Sequence, residues 1–142
     1  MQESSMREFQ NGIEILDSHE CFRLLHEGSV GCLGLPSIGA PELRTVNYTI
    51  DGRSLVIRTG EGQILEAGHH GLPASFQIFG IDGLEHTGWS VFVTGKLSQL
   101  ATDQHNLALP LRSWASVRKD RFVGLSMSQT SGRRIPPGRG NR

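Results

Sequence analysis

The dipeptide Asp51-Gly52, set between two runs of alternating side chains, constrains this chain more than any other feature. Gly accepts the positive φ that a tight hairpin turn demands, so the flanking runs are held antiparallel and adjacent. Arg44-Thr45-Val46-Asn47-Tyr48-Thr49-Ile50 alternates polar and apolar residues, and Ser54-Leu55-Val56-Ile57-Arg58-Thr59 does so more loosely. Both read as strands with one buried face. The second run ends in Arg58-Thr59, followed by Gly60-Glu61-Gly62 and a short helical stretch, Gln63 to Ala67. An arginine, a hydroxyl and backbone N–H groups at a helix start are the parts from which a phosphate-sized anion site is built.

With 142 residues the chain reads as one domain, long enough to bury a core. Lys+Arg and Asp+Glu both number 14, and a balanced charge argues against a nucleic-acid or anionic-membrane binder, which gains from a basic surplus. Eighteen glycines and many short apolar runs favour β structure over a helical bundle. Cys21 and Cys32 have apolar neighbours and no partner at metal-ligand spacing, so both read as reduced, buried small hydrophobes. No apolar run approaches the ~20 residues that span a bilayer. The N-terminus lacks the apolar centre of a signal peptide, so a cytoplasmic protein is expected.

Along the chain, residues 1–12 are polar and carry no period, and are expected to be disordered; 13–135 form the domain, and the basic stretch 136–142 is expected to be a disordered tail. Asp17 or Ser18 caps a helix running from about His19 to Glu27 and ended by Gly28. Val30–Leu35, Arg44–Ile50, Ser54–Thr59, Pro73–Phe79, Trp89–Leu97 and Arg121–Ser128 read as six strands. Gly80 to Thr87 reads as a loop, and Ala101 to Ala115 as a helix interrupted at Pro110. His69-His70 is expected at a solvated helix end rather than around a metal.

Six antiparallel strands with a few short flanking helices point to a mainly β fold, a small Greek-key barrel without exposed edges. VNYxxDG (Val46 to Gly52), RTGxG (Arg58 to Gly62), GWSVxVxG (Gly88 to Gly95) and SGRRI (Ser131 to Ile135), in this order, resemble the flavin-binding split β-barrel proteins related to pyridoxamine 5′-phosphate oxidase. The resemblance covers about Ile15 to Ile135. It implies a homodimer with two sites at the subunit interface, each holding FMN or, in some relatives, a deazaflavin. It further implies that Thr45, Val46 and Asn47 lie along the ring edge, and that Arg58, Thr59, Gly60, Gln63 and Ile64 receive the phosphate. Trp89 and Ser90 would reach in from the partner subunit.

The chain departs from the family pattern at Ile64, where relatives usually have lysine, and at Gln77, Thr94 and Gly124, where they carry charged residues. One lost charge-assisted contact weakens phosphate binding by about 1.5–3 kcal/mol. The resemblance implies a flavin-dependent oxidoreductase acting on an unidentified small molecule, with the flavin carrying the redox chemistry and no side chain assigned as catalytic. The alternative is a non-catalytic flavin-binding or storage protein, or a split-barrel dimer without cofactor. The substrate segment of the oxidases themselves finds no convincing counterpart, Trp114 and Arg121 being the nearest residues.

Overall fold

The computed structural model describes residues 8–111 and 120–136. Nine strands and three short helices follow one another among these residues: β1 (Glu8–Gln10), β2 (Ile13–Leu16), α1 (Ser18–Glu27), β3 (Val30–Leu35), β4 (Glu42–Asp51), β5 (Ser54–Thr59), α2 (Gln63–His69), β6 (Pro73–Asp82), β7 (Thr87–Leu100), α3 (Gln104–Leu107), β8 (Arg121–Ser126) and β9 (Gln129–Ile135). The six strands read from the sequence are the six that close the barrel, in the ring order β3-β4-β5-β8-β7-β6. β6 lies beside β3 after the β3-β4-β5 meander, which is the Greek-key arrangement.

The hairpin between β4 and β5 closes on the pair Asp51↔Ser54, and Gly52 takes a φ of 64°, as the turn requires. β7 is long enough, at 14 residues, to serve two sheets. Its first half pairs with β9 from Gly88 to Thr94, and its last residues pair with β8 from Leu97 to Leu100. This change of partner splits the barrel. β9 and β2 then extend the sheet outward.

Three expectations are corrected. Glu8–Gln10, within the segment expected to lack structure, pairs with Ile13–Ile15 as β1. Half of the expected 80–87 loop is ladder, since β6 continues to Asp82 and β7 begins at Thr87, leaving four residues for the turn. Of the described part of the expected 101–115 helix, only Gln104–Leu107 is helical; residues 112–115, Trp114 among them, lie outside the described residues, as does the tail beyond Pro136.

The core fills the barrel with Leu33, Tyr48, Leu55, Ile57, Phe76, Val91, Val93, Leu97 and Leu125. Alternation places these side chains inside and their neighbours outside. α1 starts on Asp17, whose carboxylate accepts from the Glu20 amide at 2.8 Å, and lays Cys21, Leu24 and Leu25 inward. A second, smaller cluster of Val56, Phe122 and Leu111 lies on the outer side of β5 and β8. Cys21 is buried, but Cys32 is only half-buried, because it sits on the outward row of β3 opposite Thr45 and Gln77.

Candidate functional site

Within the barrel wall, β4 and β5 are paired only from Tyr48↔Ile57 to Asp51↔Ser54. Beyond Tyr48, β4 keeps its ladder to β3, while β5 keeps its ladder to β8 as far as Thr59↔Arg121. The two strands therefore part, and a window opens between residues 43–47 on one side and 58–62 on the other. The even residues of β4 aim their backbone groups at β3, as the bond from the Tyr48 amide to the Ser29 carbonyl at 3.0 Å shows. By alternation, the amides and carbonyls of Thr45 and Asn47 face the window, where the β5 ladder has ended. Unpaired strand edges of this kind are ready to bond whatever flat polar edge enters.

The far end of the window is closed by a side-chain contact. Arg44, on the same face of β4 as Val46 and buried Tyr48, donates from Nη2 to the Oε1 of Gln63, the first residue of α2. The same guanidinium lies 3.2 Å from a Glu42 carboxylate oxygen. The window is thus framed by Thr45, Val46, Asn47, Arg58, Thr59 and Gly60, with the Arg44–Gln63 contact as its latch.

Seven of the ten residues singled out in the sequence border this window. Arg58 stands on the outer face, its guanidinium carbon 5.4 Å from the centre of the Phe122 ring. Nearby, Arg121 pairs with Glu61 at 3.0 Å. Ile64 is placed otherwise: it is buried in the core with Leu65 and Ala67. A lysine at this position would have to leave that packing.

Trp89 and Ser90 lie elsewhere in the chain. Asn47 pairs with Val30, the β3–β6 register carries the row to Phe79, and Phe79 pairs with Ser90. Three strand spacings separate them, about 14 Å along the sheet. Trp89 points to the core side, lying over Gly80, and Ser90 points outward. Both line an apolar hollow of about 290 Å³ together with Ile13, Phe79, Ile81 and Arg133.

The residue that sequence reasoning missed is Arg44. Its signal was present: a charged residue on the inward parity of β4, in register with Val46 and Tyr48, needs a partner at the barrel mouth. His69 and His70 stand exposed at the end of α2, with His70 3.2 Å from Glu66. No described helix is long and apolar enough to cross a membrane.

A closed six-stranded barrel split along β7, with a parted hairpin in its wall, defines the split-barrel class. Residues 17–134 match the pyridoxamine 5′-phosphate oxidase family, and the chain belongs to it. Among solved structures, the FAD-binding protein from Mycobacterium smegmatis is 24% identical, with 86% of this chain and 97% of that chain covered at a TM-score of 0.66. A FAD-binding protein from Mesorhizobium loti is 20% identical over 86% and 96% of the two chains, at 0.72. A conserved protein of unknown function from Corynebacterium diphtheriae is 24% identical over 87% and 98%, at 0.68. No curated protein matches the chain.

Proposed function

We propose that this protein is a flavin-dependent oxidoreductase that works as a homodimer, with a flavin seated in the β4–β5 window. The observation that carries the reading is the parted hairpin: the backbone groups of Thr45 and Asn47 face a gap framed by Arg58, Thr59 and Gly60. A heterocycle whose rim alternates donors and acceptors fits such an edge, and an anionic tail fits an arginine and a hydroxyl. The FAD-binding relatives support a flavin; FMN is the form proposed here, with a deazaflavin as the other candidate.

When bound, the flavin supplies the electron transfer. The chain's own residues bind and orient. Thr45 and Asn47 fix the ring edge through the backbone, Arg58 and Thr59 hold the phosphate with the amides of Gly60, Gln63 and Ile64, and the barrel wall keeps water from one face. No side chain is assigned a proton-transfer role.

Support for the homodimer comes from the outward face of β4, β3, β6, β7 and β9. Leu43, Phe79, Ile81, Phe92 and Ile135 are all exposed on it. That much apolar surface on one sheet suits burial against another copy. The partner's Trp89 and Ser90 would then form the far wall of each site, a role the same chain's residues cannot fill from about 14 Å away. The non-catalytic reading is favoured by one feature, the burial of Ile64 where relatives carry a lysine.

Absorbance of the purified protein decides between the readings. A yellow dimer that is bleached by a nicotinamide donor and reoxidised in air is expected. A colourless protein that takes up none of FMN, FAD or a deazaflavin would overturn the proposal.

A further inference from the structure

We infer that the hollow between the first turns of α1 and the tips of the β4–β5 and β8–β9 hairpins is a binding site for a small aromatic carboxylate. It lies at the opposite end of β5 from the window, and it does not rest on the flavin reading. From Ser54 to Thr59 the strand runs about 17 Å.

The hollow has a volume of about 460 Å³ and is lined by Ser18, His19, Phe22, Arg53, Met127 and Thr130. That volume is in the range of small-molecule pockets. Its walls are tied to the barrel independently. The Met127 amide donates to the Arg53 carbonyl at 3.3 Å, which joins the two hairpin tips, and the Ser128 amide donates to the Thr94 carbonyl at 3.1 Å. α1 is held by the burial of Cys21, Leu24 and Leu25.

The lining has an apolar side and a polar side. Phe22, 41% exposed with its ring edge-on to His26 at 4.6 Å, and Met127 make the first. A ring and a thioether both pack well against an aromatic plane. Arg53 and His19 supply N–H donors on the second, beside the hydroxyls of Ser18 and Thr130. Among the described residues, no hydrogen bond or ion pair engages any of these four side chains. The neighbouring acids are committed elsewhere: Asp17 caps α1, Asp51 pairs with His105 at 2.9 Å, and Glu20 pairs with Arg23 and Arg134. The Arg53 guanidinium brings one fixed positive charge and a fork that matches two carboxylate oxygens. A flat body against Phe22 and Met127 with a single carboxylate on Arg53 uses both sides. A polyanion would leave charge uncompensated against the apolar one.

The test is amide NMR of the full chain as purified, titrated with cinnamate and with its uncharged amide, cinnamamide. Cinnamate is expected to shift the amides of His19, Phe22, Met127 and Thr130 and to leave those of Thr45, Asn47 and Thr59 in place. Cinnamamide is expected to bind at least tenfold more weakly. Arg53→Gln should weaken cinnamate at least tenfold while changing cinnamamide less than threefold, and Arg53→Lys should recover part of the loss. Phe22→Ser should weaken both ligands. Thermal melts of each variant show that the fold is retained. The site is overturned if millimolar cinnamate moves none of these amides, if the shifts centre on the window, or if Arg53→Gln leaves cinnamate affinity intact.

Discussion

The hydroxyl of Tyr48 donates to the main-chain carbonyl of Leu25 at 2.6 Å, tying the middle of β4 to the last turns of α1. Tyr48 is 1% exposed and its ring meets Phe76 edge-on at 4.9 Å. The chain passes so close that a β-carbon at Gly28 would lie 2.4 Å from the Tyr48 oxygen. Tyr48→Phe is expected to cost about 1–2 kcal/mol in urea unfolding, the value of a buried hydrogen bond whose acceptor is left behind. Gly28→Ala is expected to cost about 1–3 kcal/mol through overpacking. The double variant should lose less than the sum, because Phe removes the atom that the alanine methyl strikes. Strict additivity in that cycle would mean that the two residues do not meet.

Burial pushes the Tyr48 phenol up to about 12. The folded state therefore holds its proton more firmly than the unfolded chain, in which the phenol has its ordinary value near 10. Stability contributed by this group is complete below pH 10 and is lost as pH rises toward 12, by about 1.4 kcal/mol per pH unit. Tyr48 is the chain's single tyrosine, so tyrosinate absorbance reports it without interference. Ionisation should appear late and together with unfolding, and Tyr48→Phe should flatten the alkaline limb of the stability curve. An early, reversible phenol titration in the native protein would contradict the burial.

Arg134 binds two acidic residues from different elements, Glu14 on β2 at 3.4 Å and Glu20 on α1 at 3.0 Å. Glu14 is 6% exposed while Arg134 and Glu20 are part-exposed, so the arginine joins the added strands to the helix at a partly buried site. Arg134→Met is expected to cost about 2–3 kcal/mol. Arg23→Met, which breaks the exposed pairs to Glu20 and Glu27 at 2.6 Å, should cost clearly less, because water screens exposed pairs. The hydrogen bond from Arg23 holds Glu20 below the ordinary carboxylate range, burial opposes this, and Arg134 lowers it further. That contribution is present above the ordinary range and is lost as pH falls through the lowered folded value. The stability gap between wild type and Arg134→Met should thus be widest near neutrality and narrow in acid. A gap independent of pH would place the loss in packing rather than charge.

The six ring strands were legible because each carries a local signal: alternation in Arg44–Ile50, a turn residue at Gly52, aromatic and β-branched enrichment from Trp89 to Val93. β2 and β9 were not read as strands. Gln129–Ile135 is polar along nearly its whole length, and its ladders to β7 and β2 make it a strand. A segment whose conformation is set by a partner 40 residues away shows no period of its own. The window residues could be placed by motif, yet the parting of β4 from β5 could not, since the hairpin signal at Asp51-Gly52 says where pairing begins and not where it ends. The Arg44–Gln63 contact and the burial of Ile64 both depend on how α2 sits on the barrel mouth, which no local pattern encodes.

The outward sheet face supplies the last prediction. Ile81 is 76% exposed and Phe79 59% exposed, and with Ile135 they rim the hollow that holds Ser90 and Trp89. In a monomer these side chains touch mainly water, so Ile81→Asp should leave the melting temperature of an isolated chain nearly unchanged. In a homodimer built on this face, the same change buries a carboxylate against an apolar surface, which costs several kcal/mol and shifts the mass to that of one chain. If a second copy's Trp89 and Ser90 complete the window, as proposed, flavin binding should fall along with the dimer, although Ile81 is two strands removed from Thr45. Light scattering and flavin titration on the same samples separate the cases. A protein that stays dimeric and keeps its flavin places the interface on another face, whereas one that becomes monomeric with its flavin intact shows that a single chain completes the site.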